Sequence, residues 1–207
     1  MIAQKVLLAT RSAGKLRELR GILDEAGIAG VTLDAVGIPE SSDEDDLECF
    51  ETFEENALAK ARYFHRLTGM PAMADDSGLC VTALGGAPGV YSKRYSRRTE
   101  LTGEPLDDAN NAKLQDELRA HEGKSASYTC AAAYVDDSGE RVAIGETFGR
   151  IVPIGSGTHG FGYDPYFFST ELNKTFGEAT TAEKQAVSHR GRAFRALVAD
   201  AARMSDG

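Results

Sequence analysis

No stretch of this chain approaches the ~20 consecutive apolar residues that a membrane-spanning helix needs, so a membrane protein is not expected. The segment Met1 to Thr10 carries a single lysine and only a short apolar run. It does not read as a signal peptide, and a cytoplasmic location is expected. Cysteine is scarce. Cys49, Cys80 and Cys130 are odd in number, far apart, and form no Cys-x-x-Cys pair. That argues against a disulfide framework and a structural zinc site, and leaves three buried free thiols in a reducing compartment as the expectation. Positive charge is also short, with 23 Lys and Arg against 32 Asp and Glu, a net charge of −9. Neutralising a duplex backbone needs a basic face, so nucleic acid is not the expected partner. Any phosphate chemistry must rest on a few focused cations, with help from a metal ion. Internal repeats, low-complexity tracts and linkers are likewise missing.

What remains is an ordinary globular composition, 42% hydrophobic and 27% charged over 207 residues. It predicts one α/β domain spanning residues 1–207. Lys5 to Thr10 reads as a buried strand. Lys15 to Ala26 reads as an amphipathic helix with Leu16, Leu19, Ile22, Leu23 and Ala26 on one face, ended by Gly27. Val31 to Val36 reads as a second strand, and the acidic stretch Glu40 to Glu51 as a solvated loop that could lie near a metal. Thr52 and Glu55 have capping-box spacing. The helix they open carries Phe53, Ala57, Ala61 and Phe64 on one face and stops at Thr68-Gly69. Ala72 to Asp76 reads as a strand entering a turn at Ser77-Gly78, Gly85 to Gly89 as a loop, and Asn110 to His121 as a helix. Ser127 to Val135 and Arg141 to Val152 flank Asp137-Ser138-Gly139 as a β-hairpin. Gly155 to Gly162 is a second glycine-rich loop, and Ser188 to Met204 a closing helix with Ala193, Phe194, Leu197, Val198 and Ala201 inside.

Four segments could carry chemistry. Thr10-Arg11-Ser12-Ala13-Gly14-Lys15 joins a strand end to a helix start, where amides and the helix dipole favour an anion. The Walker A spacing is not met, and a lysine simply solvated at a helix start fits as well. Asp75 and Asp76 are adjacent carboxylates at a strand end. Side chains alternate along a strand, so the two point to opposite sides and one at most faces a cleft directly. Hard oxygen ligands of this kind suit Mg²⁺. An Asx turn at Asp76-Ser77-Gly78 is the structural alternative. In Gly160-Phe161-Gly162-Tyr163-Asp164-Pro165, glycines flank a ring on which a base could stack, and Asp164 could meet base or ribose hydroxyls. An aromatic plug beside a Pro turn is the alternative. Lys184 with Ser188-His189-Arg190-Gly191 places cationic donors near another helix start, either for a carbonyl or phosphate oxygen or as a basic surface. His65, His121 and His159 are isolated and receive no role.

Taken in order, the segments LLATRSAGKLREL, TFEENALAKA, ADDSGLCVTALGGAPGVYSKRYS, GFGYDPYFF and EKQAVSHRGRAF resemble the inosine triphosphate pyrophosphatase family, the dITP/XTP pyrophosphatases, from Leu7 to Phe194. The resemblance implies a two-lobed α/β fold, a mixed central sheet flanked by helices with a nucleotide cleft between the lobes, a homodimer, and Mg²⁺. It also implies that Thr10, Arg11, Ser12, Ala13, Gly14, Lys15, Ser77, Phe161, Gly162, Tyr163, Asp164, Lys184, His189 and Arg190 bind a purine nucleoside triphosphate. Asp76 would be proton acceptor and metal ligand. Glu40 matches the second metal ligand, with Glu44 or Glu48 as alternatives because the acidic loop is longer here. Ser12 stands where the family usually has Asn, and Arg11 where it usually has Gly.

The activity implied is hydrolysis of ITP, dITP or XTP to monophosphate and pyrophosphate, with Asp76 and the metal activating a water and Lys15 and Lys184 neutralising the triphosphate. Two other readings stay open: a hydrolase of another modified nucleotide on a similar fold, and a catalytically silent nucleotide-binding module.

Overall fold

The computed structural model describes residues 2–203. It is an α/β protein in two compact units. One comprises Met1–Asp76, Cys130–Gly145 and His189–Gly207; the other comprises Ser77–Thr129 and Glu146–Ser188. The strands β1 (Lys5–Leu8), β2 (Ala29–Thr32), β3 (Ala72–Val81), β4 (Ser125–Asp136), β5 (Gly139–Ile151), β6 (Phe167–Ser169) and β7 (Lys174–Thr175) form a mixed sheet of order β2-β1-β3-β4-β5-β6-β7. β1 pairs in parallel with both β2 and β3, whereas β6 pairs antiparallel with β5 and β7. Among the described residues no helix is long and apolar enough to cross a membrane.

In the first unit the two-residue alternation of the strands splits the core in two. Val6 and Leu8 of β1, Met73 of β3, and Cys130, Ala132 and Tyr134 of β4 pack with helices α1 (Ala13–Glu25) and α5 (His189–Arg203). The intervening residues, Leu7 and Ala9, Ala72 and Ala74, and Ala131, Ala133 and Val135, pack with helix α2 (Phe53–Thr68). Small alanines dominate β4 because both of its faces are covered, as in a buried strand between helical layers. This parity decides where the neighbours Asp75 and Asp76 point.

The second unit has one core, built from Leu79, Val81, Leu114, Leu118, Tyr128, Ile151, Tyr163, Phe167 and Phe176. Helix α3 (Gly103–Leu118) supplies Leu114 and Leu118, and helix α4 (Thr181–Val187) follows a capping box of Thr180 and Glu183.

Several boundaries differ from the sequence reading. β2 ends at Thr32, and Asp34–Val36 form a 3-10 turn closed by Gly37 at φ +72°. The acidic stretch is ordered: Ser42–Glu48 is a 3-10 helix with its own capping box of Ser41 and Glu44. At Thr52 the amide of Glu55 does reach the hydroxyl, but the Glu55 carboxylate takes the Thr52 hydroxyl. β3 does not turn at Ser77-Gly78; it continues to Val81. Gly78 is there for space, since a Cβ would stand 2.2 Å from the Gly89 carbonyl oxygen. α3 begins at Gly103, seven residues before the expected start. Ala26 caps α1 as an exposed residue outside the buried face. Met204 and the side chain of Ala201 lie outside the described residues.

Candidate functional site

The chemistry-bearing side chains fall into two clusters, one in each unit. In the first, alternation along β3 sends Asp75 to the α1 and α5 side and Asp76 to the α2 side. Asp75 is 1% exposed. Its Oδ2 lies 3.1 Å from Lys15 Nζ and accepts from Arg190 Nε at 3.1 Å. Arg190 is equally buried and also donates to Glu18 from Nη1. Burial pushes the Asp75 carboxyl up, but Lys15, then Arg190 and Lys60, outweigh it and hold it well below the usual carboxylate range.

Asp76 is 6% exposed and sits in the opposite balance. Asn56, fully buried on α2, donates from Nδ2 to Asp76 Oδ2 at 2.8 Å and accepts the Phe50 amide at 2.9 Å. Lys60, one turn further on, stands 4.0 Å from Asp76 Oδ1. It donates to Glu48 Oε1 at 2.5 Å and to the Asp75 carbonyl at 2.6 Å. Burial raises the Asp76 carboxyl; Lys60 and Lys15 pull against it, and Glu48 adds to the rise, so the net shift is upward. Adjacent carboxyls are thereby split into one locked as an anion and one whose charge is costly. That separation is the usual mark of a division of labour between carboxylates.

The loop before α1 is built by its own side chains. Thr10 Oγ1 accepts the Ser12 amide, and Ser12 caps the helix by accepting the Lys15 amide. Ala13 and Gly14 open the first turn. Lys15 at the helix start is neither simply solvated nor without an anion. Asp75 supplies the anion, and its attraction holds the Lys15 ammonium above its ordinary value despite burial. Arg11 turns to the acidic segment instead. It donates to Glu44 from Nε and Nη2 at 3.1 and 2.7 Å and to the carbonyls of Ile38 and Pro39 at 2.9 Å each. Glu44 is therefore tied to Arg11, Glu48 to Lys60, and Glu40 is exposed. His189 is buried at the start of α5.

In the second unit, Ser77 is half-buried on β3. In the Gly160–Pro165 segment the two rings are placed differently. Tyr163 is the plug: it is 4% exposed and its hydroxyl donates to the Ser92 carbonyl at 2.8 Å. Phe161 is exposed, with Lys184 Nζ 5.0 Å from its ring centre. Asp164 accepts from Lys184 Nζ at 2.6 Å and from the Phe161 amide at 2.8 Å. Gly162 is fixed by α3, where Asp107 and Asn111 take its amide and its carbonyl.

Sequence reasoning passed over Asn56 and Lys60 as well as Glu18, Asp107 and Asn111. The signal for the first two was available: both sit on the face of α2 that also carries Phe53, Ala57 and Phe64, where polar residues have no packing reason to be. A surface cavity of about 350 Å³ lies in the first unit, lined by Arg62, His65, Arg66 and the β4–β5 turn, and none of these candidate residues lines it.

A family model described as the Ham1 family matches residues 6–200. The chain belongs to the Ham1 family. Two similar proteins bear the name dITP/XTP pyrophosphatase. That of Ralstonia nicotianae is 46% identical over 94% of this chain and 95% of its own length. That of Burkholderia pseudomallei is 48% identical over 94% and 92%. Among solved structures, a HAM1 protein from Coxiella burnetii has a TM-score of 0.81 at 34% identity, covering 96% of this chain and 98% of that one. A nucleoside-triphosphatase, or dITP/XTP pyrophosphatase, from Mycobacterium abscessus has a TM-score of 0.68 at 42% identity, covering 93% and 98%. The Ham1 match spans every residue of both clusters.

Proposed function

We propose that this chain hydrolyses non-standard purine nucleoside triphosphates, ITP, dITP and XTP, to the monophosphate and pyrophosphate, in the cytoplasm. It thereby removes them before incorporation into DNA or RNA. The single observation that carries this is the split between Asp75 and Asp76 beside Lys15, in a Ham1 chain whose relatives are dITP/XTP pyrophosphatases.

Asp76 is the proton acceptor. Asn56 and Lys60 fix its orientation. A water gives its proton to Asp76 as its oxygen bonds to the α-phosphorus; the bond to the bridging oxygen breaks and pyrophosphate leaves. Lys15 and Lys184 neutralise triphosphate charge. The amides of Arg11, Ala13 and Gly14 and the hydroxyls of Thr10, Ser12 and Ser77 are the donors offered to phosphate oxygens, the Thr10 and Ser12 amides being bonded within the chain. Phe161 offers a stacking face, Gly162, Tyr163 and Asp164 shape its loop, and His189 donates to the 6-oxo group. Arg190 works through Asp75, which keeps Lys15 in place.

Asp76 also fits a metal. Its ionised form is disfavoured by burial and by Glu48, a cost that a divalent cation relieves, and carboxylate oxygens suit Mg²⁺. Among the described residues no group of three or more His, Cys, Asp or Glu is gathered at metal spacing. Mg²⁺ is ordinarily held by one or two carboxylates plus water and phosphate, and Asp76 and Glu40 are the proposed pair. Bound there, Mg²⁺ supplies charge neutralisation on the phosphate oxygens. A homodimer comes with the family resemblance, and light scattering on the purified chain tests it.

The deciding experiment measures phosphate release from ITP, XTP, dUTP, ATP and GTP, with and without Mg²⁺ and with and without added inorganic pyrophosphatase. A signal from ITP and XTP only with the added enzyme is expected. Release without it means stepwise γ-phosphate removal and ends the assignment. Preferential turnover of dUTP would move the enzyme to another modified nucleotide, and no turnover at all would make it a binding module.

A further inference from the structure

The Phe161 ring sits on a segment with no regular structure, between Gly160 at φ +78° and Gly162 at φ +62°. A loop of this kind is ordinarily mobile, because glycines widen the backbone's choices and no ladder holds it. Here the backbone of Gly162 is held from both sides by one helix. Asp107 Oδ2 accepts the Gly162 amide at 2.9 Å, and Asn111 Nδ2 donates to the Gly162 carbonyl at 3.0 Å. The two side chains are themselves joined, since Asn111 Nδ2 also donates to the Asp107 carbonyl at 2.9 Å, one turn back on α3. Asp164 completes the bracket by taking the Phe161 amide at 2.8 Å.

Asn111 is a poor choice if the only purpose is a stable fold. It is 5% exposed, both amide protons are spent on backbone carbonyls, and its Oδ1 is buried with no hydrogen-bond partner among the described residues. A buried acceptor left unmade is destabilising, and an apolar residue of the same shape would avoid it. What Asn111 achieves instead is the orientation of Gly162, and so of the ring beside it.

We infer that Asp107 and Asn111 are positioning residues for the purine: they hold the Phe161 ring where a base can stack. The inference rests on the proposed nucleotide hydrolysis. Stacking on an aromatic ring is worth something only if the ring is already placed, because ordering a loop on binding subtracts from affinity. A base bound equally well before and during the reaction shows in KM and leaves kcat alone.

The test compares Asn111→Leu, Asp107→Ala and Asp107→Asn with the wild type, measuring kcat and KM for ITP and the inhibition constant of inorganic tripolyphosphate, a competitor with phosphates and no base. Asn111→Leu and Asp107→Ala are expected to raise KM for ITP by about fivefold or more, the lower end of what a lost base–aromatic stack is worth. Their kcat should stay within about twofold and tripolyphosphate inhibition should not move. Asp107→Asn keeps an acceptor for the Gly162 amide and is expected to restore the wild-type KM. A parallel weakening of tripolyphosphate, or a fall in kcat matching the rise in KM, would assign both side chains to the fold alone and overturn the inference. Unchanged KM in both disruptive variants overturns it as well, with the nucleotide reading left standing. Wild-type protein that does not turn over ITP overturns both.

Discussion

Asp75 and Asp76 are consecutive residues of one strand whose carboxyls are driven in opposite directions, Asp75 down by Lys15 and Arg190 against its own burial, Asp76 up by burial. The sign of each shift predicts different consequences for what look like equivalent substitutions. A carboxyl raised in the folded state costs stability once ionised. That cost is full above its folded value, declines as pH falls through it, and is gone below the unfolded value of ~3.9. Asp76→Asn removes the cost and can still accept from Asn56. Its melting temperature at pH 8 in EDTA should equal or exceed that of the wild type, the difference shrinking toward pH 4. Its kcat for ITP should fall by a factor on the order of 10²–10⁴, the range for a lost general base. A near-wild-type rate would remove Asp76 from the role of proton acceptor.

Asp75→Asn should behave in the opposite way. The neutral side chain leaves the buried Lys15 and Arg190 without their shared anion, an error that costs about 3–5 kcal/mol in a buried pair. For a chain of this size that lowers the melting temperature by on the order of 10 °C. The wild type has a matching pH signature. A carboxyl depressed in the folded state contributes stability that is fully present above its unfolded value of ~3.9 and is lost as pH falls below it. Thermal melts from pH 7 to pH 3 should therefore steepen their decline below about pH 4 in the wild type and less in Asp75→Asn. Parallel curves would mean that the Lys15–Asp75–Arg190 cluster adds nothing to stability.

The three acidic candidates for the proposed second metal ligand have different neighbours. Glu44 is engaged with Arg11 and Glu48 with Lys60, while Glu40 is exposed beside Pro39, whose carbonyl Arg11 holds. Glu40→Gln is expected to raise the Mg²⁺ concentration for half-maximal rate by about tenfold, the scale of a lost metal contact. Glu44→Gln should shift it by less than about threefold, a limit set on the same scale. Glu48→Gln should lower the Asp76 carboxyl, since Glu48 raises it, and so move the acid limb of the pH–rate profile to lower pH. A tenfold metal effect confined to Glu48→Gln would transfer the ligand role from Glu40 to Glu48.

Much of this arrangement was legible before any coordinates, and the misses share a physical cause. β1, α1, the β4–β5 hairpin and the glycine stops at Gly27 and Gly69 follow from periodicity and left-handed caps, both at positive φ. The opposite orientation of Asp75 and Asp76 follows from strand alternation alone. Gly78 misled because glycine marks turns and also marks close approach, and here the Gly89 carbonyl stands where a Cβ would go. α3 was read as starting too late because Asn110 and Asn111 sit among its buried residues beside Leu114 and Leu118, which blurs the apolar stripe. Its true start carries Pro105 in the first turn, a position where proline is favoured. Asn56 and Lys60 lie on the apolar face of α2 that periodicity does reveal, and a pattern of apolar positions assigns no contact to the polar residues between them.

Arg11 allows a further test, because its side chain joins two segments of the first unit. Its guanidinium bridges the loop before α1 to the acidic segment through the carbonyls of Ile38 and Pro39 and the carboxylate of Glu44. The side chain is 25% exposed, so the bidentate pair is partly screened by solvent and the contribution to global stability is about 1 kcal/mol or less. The local effect is larger, since the arginine alone gathers the Ile38 and Pro39 carbonyls and the Glu44 carboxylate onto one side chain. Arg11→Gly should therefore leave the melting temperature within a few degrees, on the scale of ~2–4 °C per kcal/mol. Amide exchange over residues 38–44 should accelerate markedly, and the Mg²⁺ requirement should rise because Glu40 lies inside the loosened segment. Arg11→Lys keeps the charge and loses the fork, so it should resemble the glycine variant more than the wild type. Exchange that stays slow in both variants would show that the acidic segment orders itself and that Arg11 is incidental to it.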